Sequence, residues 1–236
     1  MGYNCWRMQN DDYTTGQVLT RREALALLAV AGCSLLVGRS PASAQPVCVV
    51  RPEQTEGPFF VDERLKRSDL RTDPATRKVT PGVPLDLTLA VSRLTGGGCA
   101  PLAGVLVDVW HCDHLGIYSD AEDKLLRGYQ VTDARGRARF KTIYPGWYQG
   151  RTVHIHFKLR SAPTVRPGFD FTSQLYFDDA LTDRVYTQAP YAARGARRIR
   201  NNRDGIYRHG GSQLLLSLAP SGAGYAGTFD VALQGT

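Results

Sequence analysis

Apolar and polar residues alternate with a period of two in several stretches of the chain. Such alternation is typical of β-strands, because successive side chains of a strand point to opposite faces. Clusters of Gly, Pro, Asp and Asn separate these stretches, as expected for the turns between strands. The predicted strands cover residues 83–94, 104–112, 136–143, 151–160 and 173–177, with two later strands within residues 214–220 and 227–234.

This pattern also argues against other fold classes. After residue 44 the sequence contains no long segment of helical periodicity, no glycine-rich phosphate loop and no internal repeat. We therefore predict an all-β fold, in which residues 45–236 form a single β-sandwich of mainly antiparallel strands with long loops. An extended arm, RPEQTEGPFFVDERLKRSDLR at residues 51–71, precedes the first predicted strand.

Residues 1–44 are typical of a targeting segment rather than of a folded domain. Arg21 and Arg22 precede an apolar run of Ala and Leu, and the small residues Ala42-Ser43-Ala44 follow it. This arrangement resembles a bacterial twin-arginine export signal. The apolar run is too short for a membrane span. We expect the protein to be exported to the periplasm or beyond, and such a signal implies folding before transport.

Two kinds of processing are compatible with this segment. The small residues ending at Ala44 resemble a signal-peptide cleavage site, and we favour cleavage there. The stretch VAGC, ending at Cys33, resembles a lipoprotein site instead. Processing at Cys33 would leave the protein tethered to a membrane by lipid.

The cysteine count fits an oxidising compartment. Removal of residues 1–44 leaves Cys48, Cys99 and Cys112, and this odd number suggests one disulfide and one free thiol. Cys48 and Cys99 lie outside the periodic segments, whereas Cys112 follows a Trp-His pair at a strand end. We therefore predict a disulfide between Cys48 and Cys99.

The charge of the chain does not indicate a nucleic-acid partner. The formal net charge is +7, but Lys and Arg are spread along the sequence apart from RGARRIRNNR at residues 194–203. That run could bind anions, although a solvated loop is the more common structure for such a segment. We predict a solvated loop and no nucleic-acid binding.

The stretch PGWYQGRTVHIHF, residues 145–157, carries the candidate chemistry. Strand alternation places His154 and His156 on one face. A bare His-x-His pair is usually a surface feature, but Tyr148 lies just upstream and Tyr118 ends a second conspicuous stretch, DVWHCDHLGIY. A phenol titrates at about pH 10 in water. Its ionisation near neutral pH calls for a strong Lewis acid, and trivalent iron is one.

Four stretches together resemble a known enzyme family. TEGPFF, GVLVDVWHCDHLGIYSD, LRGYQVTDARGRARFKTIYPGWYQGRTVHIHFKL and TSQLYFDD are similar to intradiol ring-cleavage dioxygenases of the protocatechuate 3,4-dioxygenase and catechol 1,2-dioxygenase type. The resemblance covers about residues 53–220. It implies a non-haem Fe(III) site on a β-sandwich, with Tyr118, Tyr148, His154 and His156 as the metal ligands.

The resemblance also implies a reaction. Such an enzyme uses O2 to cleave a catechol-type aromatic diol between its two hydroxyl-bearing carbons, which gives a cis,cis-muconate-type dicarboxylic acid. Tyr148 would act as a base when the diol binds, and Arg151 would stabilise negative charge. Gln174 would donate a hydrogen bond to bound oxygen or hydroxide; the alternative is an ordinary polar residue of its strand. Simple strand alternation does not place Arg151 beside His154, so the preceding turn must direct its side chain inward.

Two alternatives belong to other functional classes. The turns TD-x-x-G and PG-x-Y also resemble those of a transthyretin-like or carboxypeptidase-regulatory sandwich, which would be a non-catalytic binding module. Such a module would not need Tyr118, Arg151 and two histidines together. A zinc or copper hydrolase is a second alternative, but nothing in hydrolysis requires two tyrosinates. The sequence leaves open the oligomeric state, the particular catechol derivative and the role of Cys112.

Overall fold

The computed structural model describes residues 48–62, 64–96, 98–119 and 124–234, and every structural statement below refers to these ranges. The predicted export signal, with Cys33 and Ala44, lies outside them. Within the described ranges no helix has the length and apolar character needed to cross a membrane.

Strands dominate the described residues, and helices are few and short. One seven-residue helix, α1 (Asp179–Val185), begins at Asp178, whose side chain accepts a hydrogen bond from the amide of Leu181. Three 3-10 helices span Tyr191–Arg194, Asn201–Arg203 and Gly211–Leu214. The strands are β1 (Pro84–Thr95), β2 (Gly98–Pro101), β3 (Leu106–Trp110), β4 (Arg127–Val131), β5 (Arg137–Ile143), β6 (His154–Arg160), β7 (Asp170–Tyr176), β8 (Ala219–Ser221) and β9 (Gly224–Leu233).

These strands form two sheets. In the first sheet the long strand β1 pairs with β9 on one edge, and with β5 and then β2 on the other. The β1–β9 pairing is parallel, and β8 extends the sheet beyond β9. The second sheet has the order β4-β3-β6-β7 and is antiparallel throughout. The prediction of an all-β sandwich of mainly antiparallel strands is therefore confirmed.

The core lies between the two sheets. Leu85, Leu87 and Leu89 of β1 are fully buried there, as their spacing of two residues predicts. From the second sheet, Phe157 of β6 reaches Phe229 of β9, with ring centroids 5.9 Å apart. Residues of β6 at odd positions therefore face the core, and those at even positions, including both histidines, face away from it.

The extended arm covers that second face of β6. Gln54 donates its backbone N–H to the carbonyl of Thr172 at 2.9 Å. Asp62 accepts a hydrogen bond from Arg160 at 3.0 Å, and Glu56 forms an ion pair with Lys158. The arm thus shields polar side chains of β6 from water, so both faces of this strand are buried.

Several elements were missed or misplaced by the sequence pattern. β2 has four residues rich in Gly and Pro, and β4, with the sequence RGYQV, shows no clean alternation. Neither strand was predicted, and Cys99 lies in β2 rather than in a loop. The strand predicted within residues 214–220 is mostly irregular, because the chain leaves a 3-10 helix at Leu214 and enters β8 only at Ala219.

The cysteine prediction is confirmed. Cys48 and Cys99 form a disulfide with their Cα atoms 5.4 Å apart, which joins the start of the arm to β2. Cys112 is a buried free thiol.

The prediction of a solvated basic loop at residues 194–203 was wrong for its central residue. The side chain of Arg197 is only 3% exposed and forms ion pairs with Asp179 at 2.6 Å and Asp183 at 3.1 Å. Arg194 lies over the ring of Trp147, with its guanidinium carbon 4.4 Å from the ring centroid. The run holds α1 and the turn before β6 in place, because its arginines find partners on both.

Candidate active site

Four predicted side chains meet on the arm-covered face of β6. His154 and His156 belong to this strand, Tyr148 lies in the turn before it, and Tyr118 follows β3. The Nε2 atom of His154 lies 3.1 Å from Nε2 of His156, 3.3 Å from the phenol oxygen of Tyr118 and 3.2 Å from that of Tyr148. The structure therefore brings two imidazole nitrogens and two phenol oxygens to one point.

The tautomer of His154 suits a metal ligand. Its Nδ1 lies 2.7 Å from the carbonyl oxygen of Thr152, which can only accept a hydrogen bond, so Nδ1 carries the proton. In the neutral ring the lone pair then resides on Nε2, the atom that faces the other three groups. A carbonyl that orients a histidine in this way is a common feature of protein metal sites.

The separations within the donor set also fit a shared metal. Two ligands that each lie about 2.1 Å from a metal and subtend a right angle are about 3.0 Å apart. The observed separation of the two histidine Nε2 atoms, 3.1 Å, is close to this value. Nδ1 of His156 is buried and has no hydrogen-bond partner among the described residues, so Nε2 is the atom through which this ring would be fixed. A donor set of oxygen and nitrogen atoms suits iron.

His156 is enclosed on two sides. Its ring stacks on Trp110 with ring centroids 5.0 Å apart and an angle of 9°. Gly57 of the arm lies nearby, with a backbone φ of +72°, and a Cβ atom there would sit 3.4 Å from Cε1 of His156. That contact would be an ordinary one, so the positive φ is the feature that favours glycine at this position.

Burial keeps all four groups uncharged when no cation is near. Desolvation, with a smaller contribution from the charge of Arg151, lowers the pKa of His154 to about 3, and it lowers the pKa of His156 well below the usual range. Desolvation likewise raises the pKa of Tyr118 well above its ordinary value and raises that of Tyr148. A bound cation reverses this preference for the phenols, because it favours their ionised form.

A metal site at this point would draw on the two tyrosines as well as the two histidines. Among the described residues, no three or more His, Cys, Asp or Glu side chains form a group that could hold a metal ion. Within the described part of the chain, the two phenols and the histidine pair together supply four donors.

Arg151 points toward the donor set. The residue lies in the turn before β6, so strand alternation does not govern its direction. Its Nη1 lies 3.4 Å from Nε2 of His154, Nη2 donates to Gln174 Oε1 at 2.6 Å, and Nε donates to Asp204 Oδ2 at 2.8 Å. Burial acts to lower the pKa of Arg151, but the hydrogen bond and the charge of Asp204 outweigh it, so the pKa is raised. The guanidinium is therefore a fixed positive charge beside the site.

Gln174 lies in the hydrogen-bond network of Arg151. It faces His156 across the β6–β7 pairing and is fully buried. Its Oε1 accepts from Arg151 and from the Tyr176 hydroxyl at 3.0 Å, and its Nε2 donates to the Thr55 carbonyl at 2.9 Å. These contacts link Arg151 to the arm. Donation from Gln174 to bound oxygen stays a prediction.

Three residues at the site were missed by the sequence analysis. The ring of Phe59 stacks on Tyr118 with centroids 4.2 Å apart. Arg127 of β4 donates to Ser119 Oγ at 2.8 Å and to the Phe59 carbonyl at 3.4 Å. Asp204 binds Arg151 from a distant loop. The motif TEGPFF could have drawn attention to Phe59, whereas nothing local marks Arg127 or Asp204.

Comparison with protein families agrees with this geometry. A family model described as Dioxygenase matches residues 55–208, which include all four donor residues. A chlorocatechol 1,2-dioxygenase of Pseudomonas putida is 30% identical over 191 residues, covering 71% of this chain and 67% of that protein. A protocatechuate 3,4-dioxygenase beta chain of Burkholderia cepacia is 33% identical over 142 residues, covering 52% of this chain and 59% of that protein.

Solved structures with similar folds point the same way. An intradiol ring-cleavage dioxygenase from Tetranychus urticae has a TM-score of 0.68 and 28% identity, covering 78% of this chain and 94% of that one. The dioxygenase domain of a carbohydrate-binding fusion protein from Streptomyces sp. SirexAA-E has a TM-score of 0.60 and 35% identity. The match covers 79% of this chain and 99% of that one. These likenesses favour an enzyme over the transthyretin-like binding module. The chain belongs to the intradiol ring-cleavage dioxygenase family of oxidoreductases.

Proposed function

We propose that this enzyme uses non-haem Fe(III) and O2 to cleave a catechol-type aromatic diol between its hydroxyl-bearing carbons. The product would be a cis,cis-muconate-type dicarboxylic acid that contains both oxygen atoms of O2. The observation that carries the proposal is the convergence of Tyr118, Tyr148, His154 and His156 beside the Arg151 guanidinium. Relatives named for chlorocatechol, catechol and protocatechuate support the substrate class.

The four converging side chains would hold the metal. When bound, Fe(III) would supply a Lewis acid that ionises coordinated phenols and activates the diol toward O2. The two tyrosinates would offset two of its three positive charges. The imidazoles would bind as neutral ligands, since the carbonyl of Thr152 fixes the tautomer of His154.

The two tyrosines have different surroundings, which suggests different roles. Among the described residues, Tyr118 has a stacked ring partner, Phe59, whereas the ring contacts of Tyr148 are edge-on, at 5.7 Å from each of the Tyr118 and His154 rings. Tyr148 is therefore the better candidate to move when a diol binds. Its phenolate oxygen would take one hydroxyl proton of the substrate as a general base.

Arg151 would stabilise the anionic substrate. A diol that has given one proton to Tyr148 carries negative charge, and Nη1 of Arg151 lies 3.4 Å from His154 Nε2. Because Asp204 and Gln174 hold Arg151 in place, little reorganisation is needed when that charge appears. Gln174 would contribute by fixing this orientation and by donating a hydrogen bond to bound oxygen or hydroxide.

An apolar rim would favour an aromatic ring. Phe59 is 39% exposed beside Tyr118, and the loop that leads to Tyr118 carries exposed Leu115 and Ile117. Apolar surface with a few convergent polar groups is typical of small-molecule sites.

We also propose that the protein is exported. The twin-arginine pattern at Arg21 and Arg22 motivates this proposal, and the Cys48–Cys99 disulfide supports it, since such bonds persist mainly in oxidising compartments. Fractionation of cells that express the full chain would test it. We expect the protein outside the cytoplasm, and Arg21→Lys with Arg22→Lys should retain it inside; cytoplasmic location of the parental chain would contradict export.

Ring cleavage itself is tested with labelled oxygen. The iron-loaded protein is incubated with catechol under ¹⁸O2, and the product is identified by mass spectrometry and absorbance. We expect a dicarboxylic acid carrying two labelled oxygen atoms. Cleavage of any other ring bond would contradict the proposal. So would the absence of oxygen consumption with all three of catechol, chlorocatechol and protocatechuate.

A further inference from the structure

One buried carboxylate contacts the site from a distant loop. The side chain of Asp204, directly after the 3-10 helix Asn201–Arg203, has no solvent exposure. Its Oδ2 accepts from Arg151 Nε at 2.8 Å and from the backbone N–H of Thr152 at 2.7 Å. Its Oδ1 accepts from the backbone N–H groups of Ile206 at 2.8 Å and Tyr207 at 2.9 Å. The carboxylate therefore receives four N–H donors and is fully engaged.

These bonds reach two functional groups by separate routes. The first route is direct, because the ion pair with Arg151 sets the direction of the guanidinium that faces the donor set. The second route passes through the backbone, since Asp204 holds the N–H of Thr152 while the carbonyl of Thr152 accepts from His154 Nδ1 at 2.7 Å. One side chain thus supports both the charge and a predicted ligand.

Neighbouring contacts strengthen the first route. Tyr207, whose N–H binds Asp204, packs edge-on against Tyr176 with ring centroids 5.0 Å apart. The hydroxyl of Tyr176 lies 3.0 Å from Gln174 Oε1, which accepts from Arg151, and 2.7 Å from Gln54 Oε1. The loop that carries Asp204 therefore supports Arg151 directly at Nε. It also supports Nη2 indirectly, through the contacts of Tyr207, Tyr176 and Gln174.

We propose that Asp204 is a positioning residue of the ring-cleavage site, which fixes the Arg151 guanidinium and the backbone that sets the tautomer of His154. This inference rests on the proposed function. Asparagine cannot replace the carboxylate, because its amide has one acceptor oxygen instead of two and would direct N–H groups at N–H donors. Loss of such an outer partner typically lowers metal affinity or activity by about 10- to 100-fold.

The test compares Asp204→Asn with Asp108→Asn in the full chain. Asp108 is a suitable control because its buried carboxylate binds Arg160, instead of Arg151, through two hydrogen bonds of 2.9 Å. Three quantities are measured: the melting temperature, the retention of iron against a chelator, and the turnover of catechol per bound iron at saturation. We expect Asp204→Asn to lose about 10- to 100-fold in turnover per iron or in iron retention. Asp108→Asn should change only the melting temperature.

A double variant separates positioning from general destabilisation. If Asp204 affects turnover through Arg151, adding Asp204→Asn to Arg151→Ala should cause no further loss of turnover per iron. Equal turnover and iron retention in Asp204→Asn and the parental protein would overturn the inference. Independent, multiplicative losses of turnover in the double variant would overturn the route through Arg151 and leave only the route through Thr152 and His154.

A second substitution of Asp204 covers the case in which the asparagine variant is unstable. If Asp204→Asn does not fold, Asp204→Glu takes its place, since it keeps the charge but displaces the carboxylate. We expect at least a roughly tenfold loss of turnover, and parental values would overturn the inference.

The parental protein separates the proposed function from the role of Asp204. Failure of the iron-loaded parental chain to cleave catechol-type diols contradicts the proposed function, whereas cleavage at equal rates by parent and variant contradicts only the role of Asp204.

Discussion

The phenol ring of Tyr118 lies flat against Phe59, with ring centroids 4.2 Å apart and an interplanar angle of 7°. Arg127 reinforces this contact by donating to the Phe59 carbonyl and to the side chain of Ser119, which follows Tyr118. Tyr148 has no stacked ring partner among the described residues. We therefore expect Tyr118 to stay in place and Tyr148 to move when a diol binds, and this difference can be tested.

Tyr148→Phe removes the proposed base but leaves the ring in place. We expect the variant to fold, to retain part of its iron and to show an altered visible band, while the rate of substrate deprotonation falls. Stopped-flow absorbance during anaerobic mixing with catechol measures that rate. Tyr186→Phe is a suitable control, since this hydroxyl donates to the Pro145 carbonyl instead of facing the donor set. Unchanged colour and kinetics in Tyr148→Phe would show that Tyr148 has neither role.

Arg151 supplies charge through a planar group. Arg151→Lys keeps the charge but loses the fork that binds Asp204 and Gln174 together, and Arg151→Ala loses both. Removal of a preorganised donor typically costs about 3 to 4 kcal/mol of transition-state stabilisation, so Arg151→Ala should lose roughly a hundredfold to a thousandfold in turnover per bound iron. Iron content should change little. An alanine variant with the parental turnover would limit Arg151 to a structural role.

The disulfide should contribute to the stability of the folded protein. Cys48 and Cys99 are 51 positions apart, and closing a loop of that length restricts the unfolded chain by about 4 kcal/mol in the entropic model. We expect Cys48→Ser to lower the free energy of unfolding by up to this amount in denaturant titrations. Peptide mapping of exported protein without reductant should recover the linked peptides. Two free thiols there, or unchanged stability of Cys48→Ser, would contradict the prediction.

Cys112 should be chemically inert in the native protein. Burial raises the pKa of its thiol to about 12, mainly by desolvation. Because the reactive form is the thiolate, a thiol that ionises only at much higher pH does not react near pH 8. We expect iodoacetamide to leave Cys112 unmodified in the folded state and to label it after denaturation, as measured by mass spectrometry. Rapid labelling of folded protein would contradict the burial.

Local patterns in the sequence predicted the strands that face the core and the histidine pair. Alternation located β1, β5 and β6, and the same period placed His154 and His156 on one side of a strand. β2 and β4 were not predicted, because both are short and neither alternates apolar with polar residues as a strand with one buried face usually does.

Contacts between distant segments were not predictable in this way. Gln174 faces His156 because of the register between β6 and β7, and Asp204 reaches Arg151 across 53 positions of sequence. Neither relationship leaves a local pattern in the chain. The direction of Arg151 also depended on the turn before β6, for which strand periodicity gives no rule.

Iron content, measured together with visible absorbance, shows whether the four side chains bind one ferric ion. Protein from iron-replete cells should contain about one iron per chain and show a reddish tyrosinate-to-Fe(III) band. His156→Ala and Tyr118→Phe should each lose most of the iron and the band, because each removes a donor, whereas His209→Ala, at an exposed histidine, should keep both. A colourless, iron-free parental protein that is correctly folded, or near-full iron and activity in His156→Ala, would contradict the account.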